Sequence, residues 1–179
     1  MMNYFELYSI PVSFQPDQNL VKQQFYRLSR QYHPDFYTQA SAEEQAEVLD
    51  KSAAVNKAYR TFMDADATIQ YVLEWKGLVE PEEKYQLDPM FLAEVMDINE
   101  ALMELEMDPD PAGLEKAGIM TQNLLNEVYE HVEPILADYQ EGVTTEKELL
   151  QVKDYYYKKK YLQRILDKID STRNIASPN

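Results

Sequence analysis

The sequence predicts an all-α protein, with an N-terminal helical domain followed by a C-terminal antiparallel three-helix bundle. Three observations carry that expectation. Glycine occurs only 4 times in 179 residues, while Leu, Glu, Lys, Gln and Ala are plentiful, so helix formers are many and tight turns few. Apolar residues recur at steps of three and four, the spacing that lines one helix face. Asp, Ser or Thr stands just before most of these runs, where a helix needs a side-chain acceptor.

The elements follow in order. Residues 4–10, Tyr-Phe-Glu-Leu-Tyr-Ser-Ile, are short and mostly apolar, and Pro11 closes them as a brief helix. Asp17 is a candidate N-cap for the second helix, where Val21, Phe25, Leu28 and Tyr32 share one face. Pro34 ends that helix, and residues 33–40 form a loop. Ser41 with Glu44 is a capping box. The helix behind it carries Leu49, Ser52, Val55, Asn56, Tyr59, Phe62 and Met63 at helical spacing. A short helix over Ala67 to Lys76 presents Ile69, Val72 and Leu73, with Gly77 as its C-cap. The N-terminal domain is therefore expected over 1–76.

Residues 77–88 are polar and aperiodic and contain a proline, the mark of a linker. Beyond it, Asp88-Pro89 and Asp110-Pro111 each place a capping carboxylate before a proline at the first helical position. Thr145 with Glu148 is a second capping box, and Gly142 breaks the helix before it. Helices over 89–107, 111–141 and 145–170, joined by short connections, give a bundle over 89–170. Residues 171–179 read as a disordered tail.

Composition narrows the function. No cysteine is present, so disulfides, cysteine–zinc sites and thiol nucleophiles are out. The only histidines, His33 and His131, are too few for most histidine metal sites. The Glu-x-x-His motif of di-iron bundles is missing, since Val128 stands three before His131. Formal net charge is -15, which repels nucleic acid and anionic membranes, so neither is an expected partner. Lys158-Lys159-Lys160 is read as a solvated helix face. The N-terminus shows no basic region followed by an apolar run, so no signal peptide is expected. No apolar run nears the ~20 residues that span a bilayer. The expected location is cytoplasmic, with no cofactor and no metal.

Against this acidity the second helix stands out. Over residues 17–32 the one acid, Asp17, meets three cations, Lys22, Arg27 and Arg30. These cations and Tyr26 lie opposite the apolar face, and His33-Pro34-Asp35 follows at the end. A basic face is usually merely solvated, and a lone His-Pro-Asp is weak. Their combination, between two amphipathic helices, suits an acidic partner. With no Ser or Cys nucleophile motif nearby, His33 and Asp35 do not read as part of a triad, and the chain is not expected to be an enzyme.

Residues 3–63 resemble a J-domain. Tyr4-Phe5-Glu6-Leu7 is similar to its opening helix, Gln31-Tyr32-His33-Pro34-Asp35 to its signature, and Val55-Asn56-Lys57-Ala58-Tyr59 to its Asn-x-Ala-Tyr segment. The resemblance implies that His33, Pro34 and Asp35 stimulate a DnaK-type ATPase, with Lys22, Tyr26, Arg27 and Arg30 as the docking face. J-domains often carry Lys after the signature; here Phe36 stands there, a departure that bears on docking strength.

The bundle's first helix carries a second pattern. Phe91, Val95, Ile98, Leu102 and Leu105 form its core stripe, and Leu92, Met96, Asn99 and Met103 a second stripe about a quarter turn round. Asp97, Glu100 and Glu104 lie further round, with Ala93 between. Exposed, the second stripe would be an apolar strip beside an acidic one; buried, only a wide core flank. Residues 77–170 resemble the C-terminal helical domain of HscB-type co-chaperones, and Phe91 to Glu100 its first bundle helix. That resemblance implies binding of an IscU-type iron–sulfur scaffold through Leu92, Ala93, Met96, Asp97, Glu100 and Glu104. It also implies an aromatic from the last helix, for which Tyr156 is chosen from Tyr155-Tyr156-Tyr157. The expected function is delivery of that scaffold to a DnaK/HscA-type ATPase. The alternative is a generalist J-domain protein presenting unfolded clients, against which stands the absence of a Gly/Phe-rich segment and of cysteine-rich repeats.

Overall fold

The computed structural model describes residues 2–176, and among them every regular element is helical. The order is α1 (Tyr4–Tyr8), α2 (Gln18–Gln31), a 3-10 turn (Pro34–Tyr37), α3 (Ala42–Phe62), α4 (Ala65–Trp75), α5 (Pro89–Met107), α6 (Pro111–Ala137) and α7 (Glu146–Ala176).

The chain divides into two compact units. The first is Met1–Glu80 together with Leu136–Thr145; the second is Pro81–Ile135 together with Glu146–Asn179. Residues 136–145, expected in the bundle, thus group with the N-terminal helices. The reason is chemical. Tyr139 is buried with its ring edge-on to Phe14, and Glu141 takes the Lys76 ammonium at 2.8 Å.

In the first unit, local signals start and stop the helices as expected. Asp17 Oδ1 accepts the Leu20 N–H at 3.0 Å, and Ser41 Oγ accepts that of Glu44 at 3.2 Å. Gly77, at φ +72°, closes α4 with the paired bonds of a Schellman turn, Gly77 N–H to Glu74 O and Leu78 N–H to Leu73 O, both 2.9 Å. The core is aromatic. Phe62 packs against the rings of Phe5 and Tyr8, at 5.0 and 5.2 Å between centroids, and the Tyr8 hydroxyl donates to Val55 O at 2.7 Å. On α3 the buried face runs through Val48, Val55, Ala58 and Phe62; Leu49 and Met63, expected on it, are exposed.

The second unit is a three-helix domain. Phe91, Val95, Ile98 and Leu102 of α5 cluster with Leu114, Ala117, Leu124 and Leu125 of α6 and Leu162, Ile165 and Ile169 of α7. Phe91 meets Tyr161 near one end and Glu106 meets Lys168 near the other, so α5 and α7 run in the same direction, with α6 antiparallel between them in sequence. Leu105, expected in the core stripe, packs at its edge, half-buried.

Two expectations need correction. Residues 171–176, read as disordered tail, continue α7: Thr172 is buried and its hydroxyl donates to Lys168 O at 2.9 Å. The rest of that tail, 177–179, lies outside the described residues. Much of the expected linker is also anchored. Within the second unit Tyr85 stacks on Tyr157 at 4.4 Å, and Glu83 accepts from Lys153 Nζ at 2.9 Å and from the Tyr157 hydroxyl at 2.7 Å.

Candidate functional site

The first unit presents a basic column ending in a rigid turn. Lys22, Tyr26 and Arg30 follow one another at four-residue steps on α2, with Arg27 beside them, and all four are exposed. Arg27 is held by Gln24 and Gln31, at 2.7 and 3.2 Å. Among the described residues, none of the three cations meets a carboxylate within ion-pair distance. Their charge is therefore available to a partner.

At the end of α2, His33 caps the 3-10 turn. Its Nδ1 accepts the Asp35 N–H at 3.3 Å, and Pro34 occupies the first turn position, where no N–H is needed. The Asp35 carboxylate lies 3.7 Å from the same nitrogen, but both side chains are largely exposed and that contact is weak. An accepting Nδ1 keeps its lone pair, so the neutral ring carries its proton on Nε2 and can donate it outward. The Tyr37 hydroxyl donates to Gln31 O at 2.8 Å, and Gln45 Nε2 donates to Ala40 O at 3.1 Å. These bonds tie the turn to both flanking helices. His33, Pro34 and Asp35 are all exposed on it.

The second unit presents a helix face. Asp88 Oδ1 caps α5 through the Met90 N–H at 3.0 Å, with Pro89 behind it. The second apolar stripe is not a core flank: Leu92 is 40% exposed, Met96 57% and Met103 65%. Ala93, Asp97, Glu100 and Glu104 are exposed beside it. Asp97 and Glu104 also line a groove of about 470 Å³ between α5 and α6, walled by Asp108, Lys116 and Met120. The strip is therefore apolar along one edge and acidic along the other.

Tyr156, expected on this surface, offers little of its ring to it. It is 8% exposed, edge-on to Tyr157 with Lys160 over its ring, because α7 turns positions 155 and 156 inward. An aromatic of α7 with contacts on α5 is Tyr161, whose hydroxyl accepts from Asn99 Nδ2 at 2.9 Å and whose ring stands edge-on to Phe91 at 5.9 Å. A signal for it exists in the sequence. Leu162, Ile165 and Ile169 set the buried stripe of α7, and Tyr161 falls at its border, where a half-buried amphipathic ring belongs.

The anchored segment of this unit carries perturbed charges. The Tyr157 hydroxyl and then Lys153 hold the Glu83 carboxyl below its usual range. Burial, then the bond to Asp154, pushes the Tyr85 hydroxyl up to about 12. No group of three or more His, Asp or Glu side chains among the described residues could hold a metal, and no helix there is long and apolar enough to cross a membrane.

Comparison with known proteins gives this geometry a family. The model of the HSCB C-terminal oligomerisation domain matches residues 87–170. A co-chaperone protein HscB homolog of Vibrio cholerae serotype O1 (strain M66-2) is 30% identical over 170 residues, covering 94% of this chain and 95% of that protein. The chain belongs to the HscB co-chaperone family. The solved chaperone HscB from Vibrio cholerae superposes with a TM-score of 0.70 at 27% identity, over 98% of this chain and all of that one. Human co-chaperone HscB gives 0.73 at 26% identity, over 97% of this chain and 83% of that one. The all-α HscB architecture, a J-domain followed by a C-terminal helical domain, is thus the fold of this chain.

Proposed function

We propose that this HscB-family chain binds an IscU-type iron–sulfur scaffold on α5, delivers it to a DnaK/HscA-type ATPase in the cytoplasm, and stimulates ATP hydrolysis there. The supporting observation is that two exposed surfaces of opposite character sit on two different compact units. One is a basic column ending in His33-Pro34-Asp35; the other is an apolar strip with an acidic edge.

The basic column steers an acidic surface of the ATPase onto α2. His33 then offers an Nε2–H donor, and Asp35 an exposed carboxylate, from a backbone that Pro34 holds fixed. Such a turn shifts the ATPase only as far as it binds the hydrolysing state better than the other. Leu92, Met96 and Met103 supply the scaffold's apolar contact, Tyr161 flanks them, and Asp97, Glu100 and Glu104 face a basic rim. Holding both partners on one chain raises the effective concentration of each for the other. Hydrolysis is the ATPase's own chemistry.

One observation favours the generalist reading. Met90, Met96, Met103 and Met107 are all exposed on α5, and methionine-rich surfaces repack around varied clients. Titrating the chain into the host's DnaK-type ATPase, with and without an IscU-type scaffold, decides between them. Stimulation that rises further with scaffold, and loses that rise in Leu92→Ala plus Met96→Ala, supports the adaptor. Stimulation indifferent to scaffold transfers the strip to other clients.

A further inference from the structure

Phe36 is 74% exposed, one residue beyond the His33-Pro34-Asp35 turn. A lone exposed apolar side chain is ordinary on a protein surface. What sets Phe36 apart is how it is held. Its ring stands edge-on to the His33 ring, 5.9 Å between centroids and 69° between planes. Its N–H donates to His33 O at 3.1 Å, so the two residues are spaced by backbone as well as by rings. The Tyr37 hydroxyl bond to Gln31 O fixes the next residue. Phe36 is therefore placed rather than loose, and a surface that reaches the His33 ring must also cover it.

Lys22, Arg27 and Arg30 give this surface its cationic character, and charge attraction alone would gain nothing from a phenyl ring beside the turn. We propose that Phe36 is an apolar docking element. The ATPase that receives this turn carries an apolar pocket beside the acidic surface facing Lys22, Arg27 and Arg30. The inference rests on the reading of His33-Pro34-Asp35 as the ATPase contact, and adds to it a residue and the chemistry of the facing surface.

The test titrates the full chain into the host's DnaK-type ATPase under excess ATP and follows phosphate release. Phe36→Ala raises the half-saturating concentration about tenfold, equivalent to about 1.4 kcal/mol. The loss falls on half-saturation rather than on the plateau. Phe36→Leu recovers most of it. Phe36→Lys does not, and makes docking more sensitive to salt at about 0.15 M. Because the ring is exposed, melting temperatures stay within about 2 °C, which separates docking from folding. The inference is overturned if Phe36→Ala stays within about twofold of the parent chain, or if Phe36→Lys docks as well as phenylalanine. If His33→Ala retains the full plateau, the turn is not the ATPase contact, and both readings fall. If His33→Ala abolishes stimulation while Phe36→Ala is silent, only this inference falls.

Discussion

The two candidate surfaces are built in different ways. The His33 surface is a turn held by bonds between residues close in sequence: Asp35 N–H to His33, Phe36 N–H to His33, Tyr37 to Gln31. The α5 surface is the unburied side of a helix, and its aromatic flank comes from Tyr161, 62 positions from Asn99. A turn concentrates its function in a few atoms, so one substitution can abolish it. A helix face spreads binding over many weak contacts, so loss is graded. The same contrast governs what a sequence discloses.

The sharpest break in the comparison is His33→Ala. Stimulation of the ATPase is expected to fall to its unstimulated rate, while urea denaturation shows a loss of less than about 1 kcal/mol, since only a cap bond at the surface is removed. A survivor of that change would mean the turn is not the point of contact. Next in size is the contrast on α7. Tyr156→Ala removes a buried ring and costs about 3 kcal/mol of stability by thermal or chemical denaturation. Tyr161→Ala costs less stability but weakens scaffold binding, measured by calorimetry; equal scaffold affinity in the two variants would remove Tyr161 from the surface. Leu92→Ala plus Met96→Ala, both exposed, should lower scaffold affinity by about 2 kcal/mol and leave the melting temperature nearly unchanged. Each single change should lose roughly half, and an all-or-none single effect would make the strip more like the turn.

The smallest effect concerns acid. The Glu83 carboxyl is held below its usual range by Tyr157 and Lys153. A depressed carboxyl contributes stability that is present above its unfolded pKa and is lost as pH falls through the folded one. Glu83→Gln should therefore be less stable than the parent near neutrality, with the gap closing toward acid pH. A gap that is constant with pH would assign the effect to packing.

Much of the fold was legible because its signals are local. Asp17, Ser41, Asp88 and Gly77 each mark a helix end within a few residues of the bond they make or allow. The His33 turn was legible for the same reason. What could not be read depended on distant partners. Residues 171–176 are polar enough to suggest a frayed end, yet Thr172 is buried and α7 runs on. Val48 and Leu49 are both apolar neighbours, and only the packing of α3 decides that Val48 turns inward. Among three consecutive tyrosines on α7, periodicity alone does not say which are buried, and Tyr161, whose ring stands edge-on to Phe91, lies outside the run. Exposure of Leu92 and Met96 was likewise open until the packing of α6 and α7 showed which sides of α5 they cover.

One feature of the chain's path bears on how such proteins can be taken apart and recombined. The first unit is discontinuous: Leu136–Thr145 returns to it from between α6 and α7, bringing Tyr139 to Phe14 and Glu141 to Lys76. The polypeptide thus passes from one unit to the other three times rather than once. Gene fusion or cleavage at a single junction near residue 80 would yield an N-terminal piece lacking a ring over Phe14 and a counter-ion for Lys76. The N-terminal half is not a cassette that can be exchanged at one splice point, and inheritance of the two halves is tied together by the hairpin's tip.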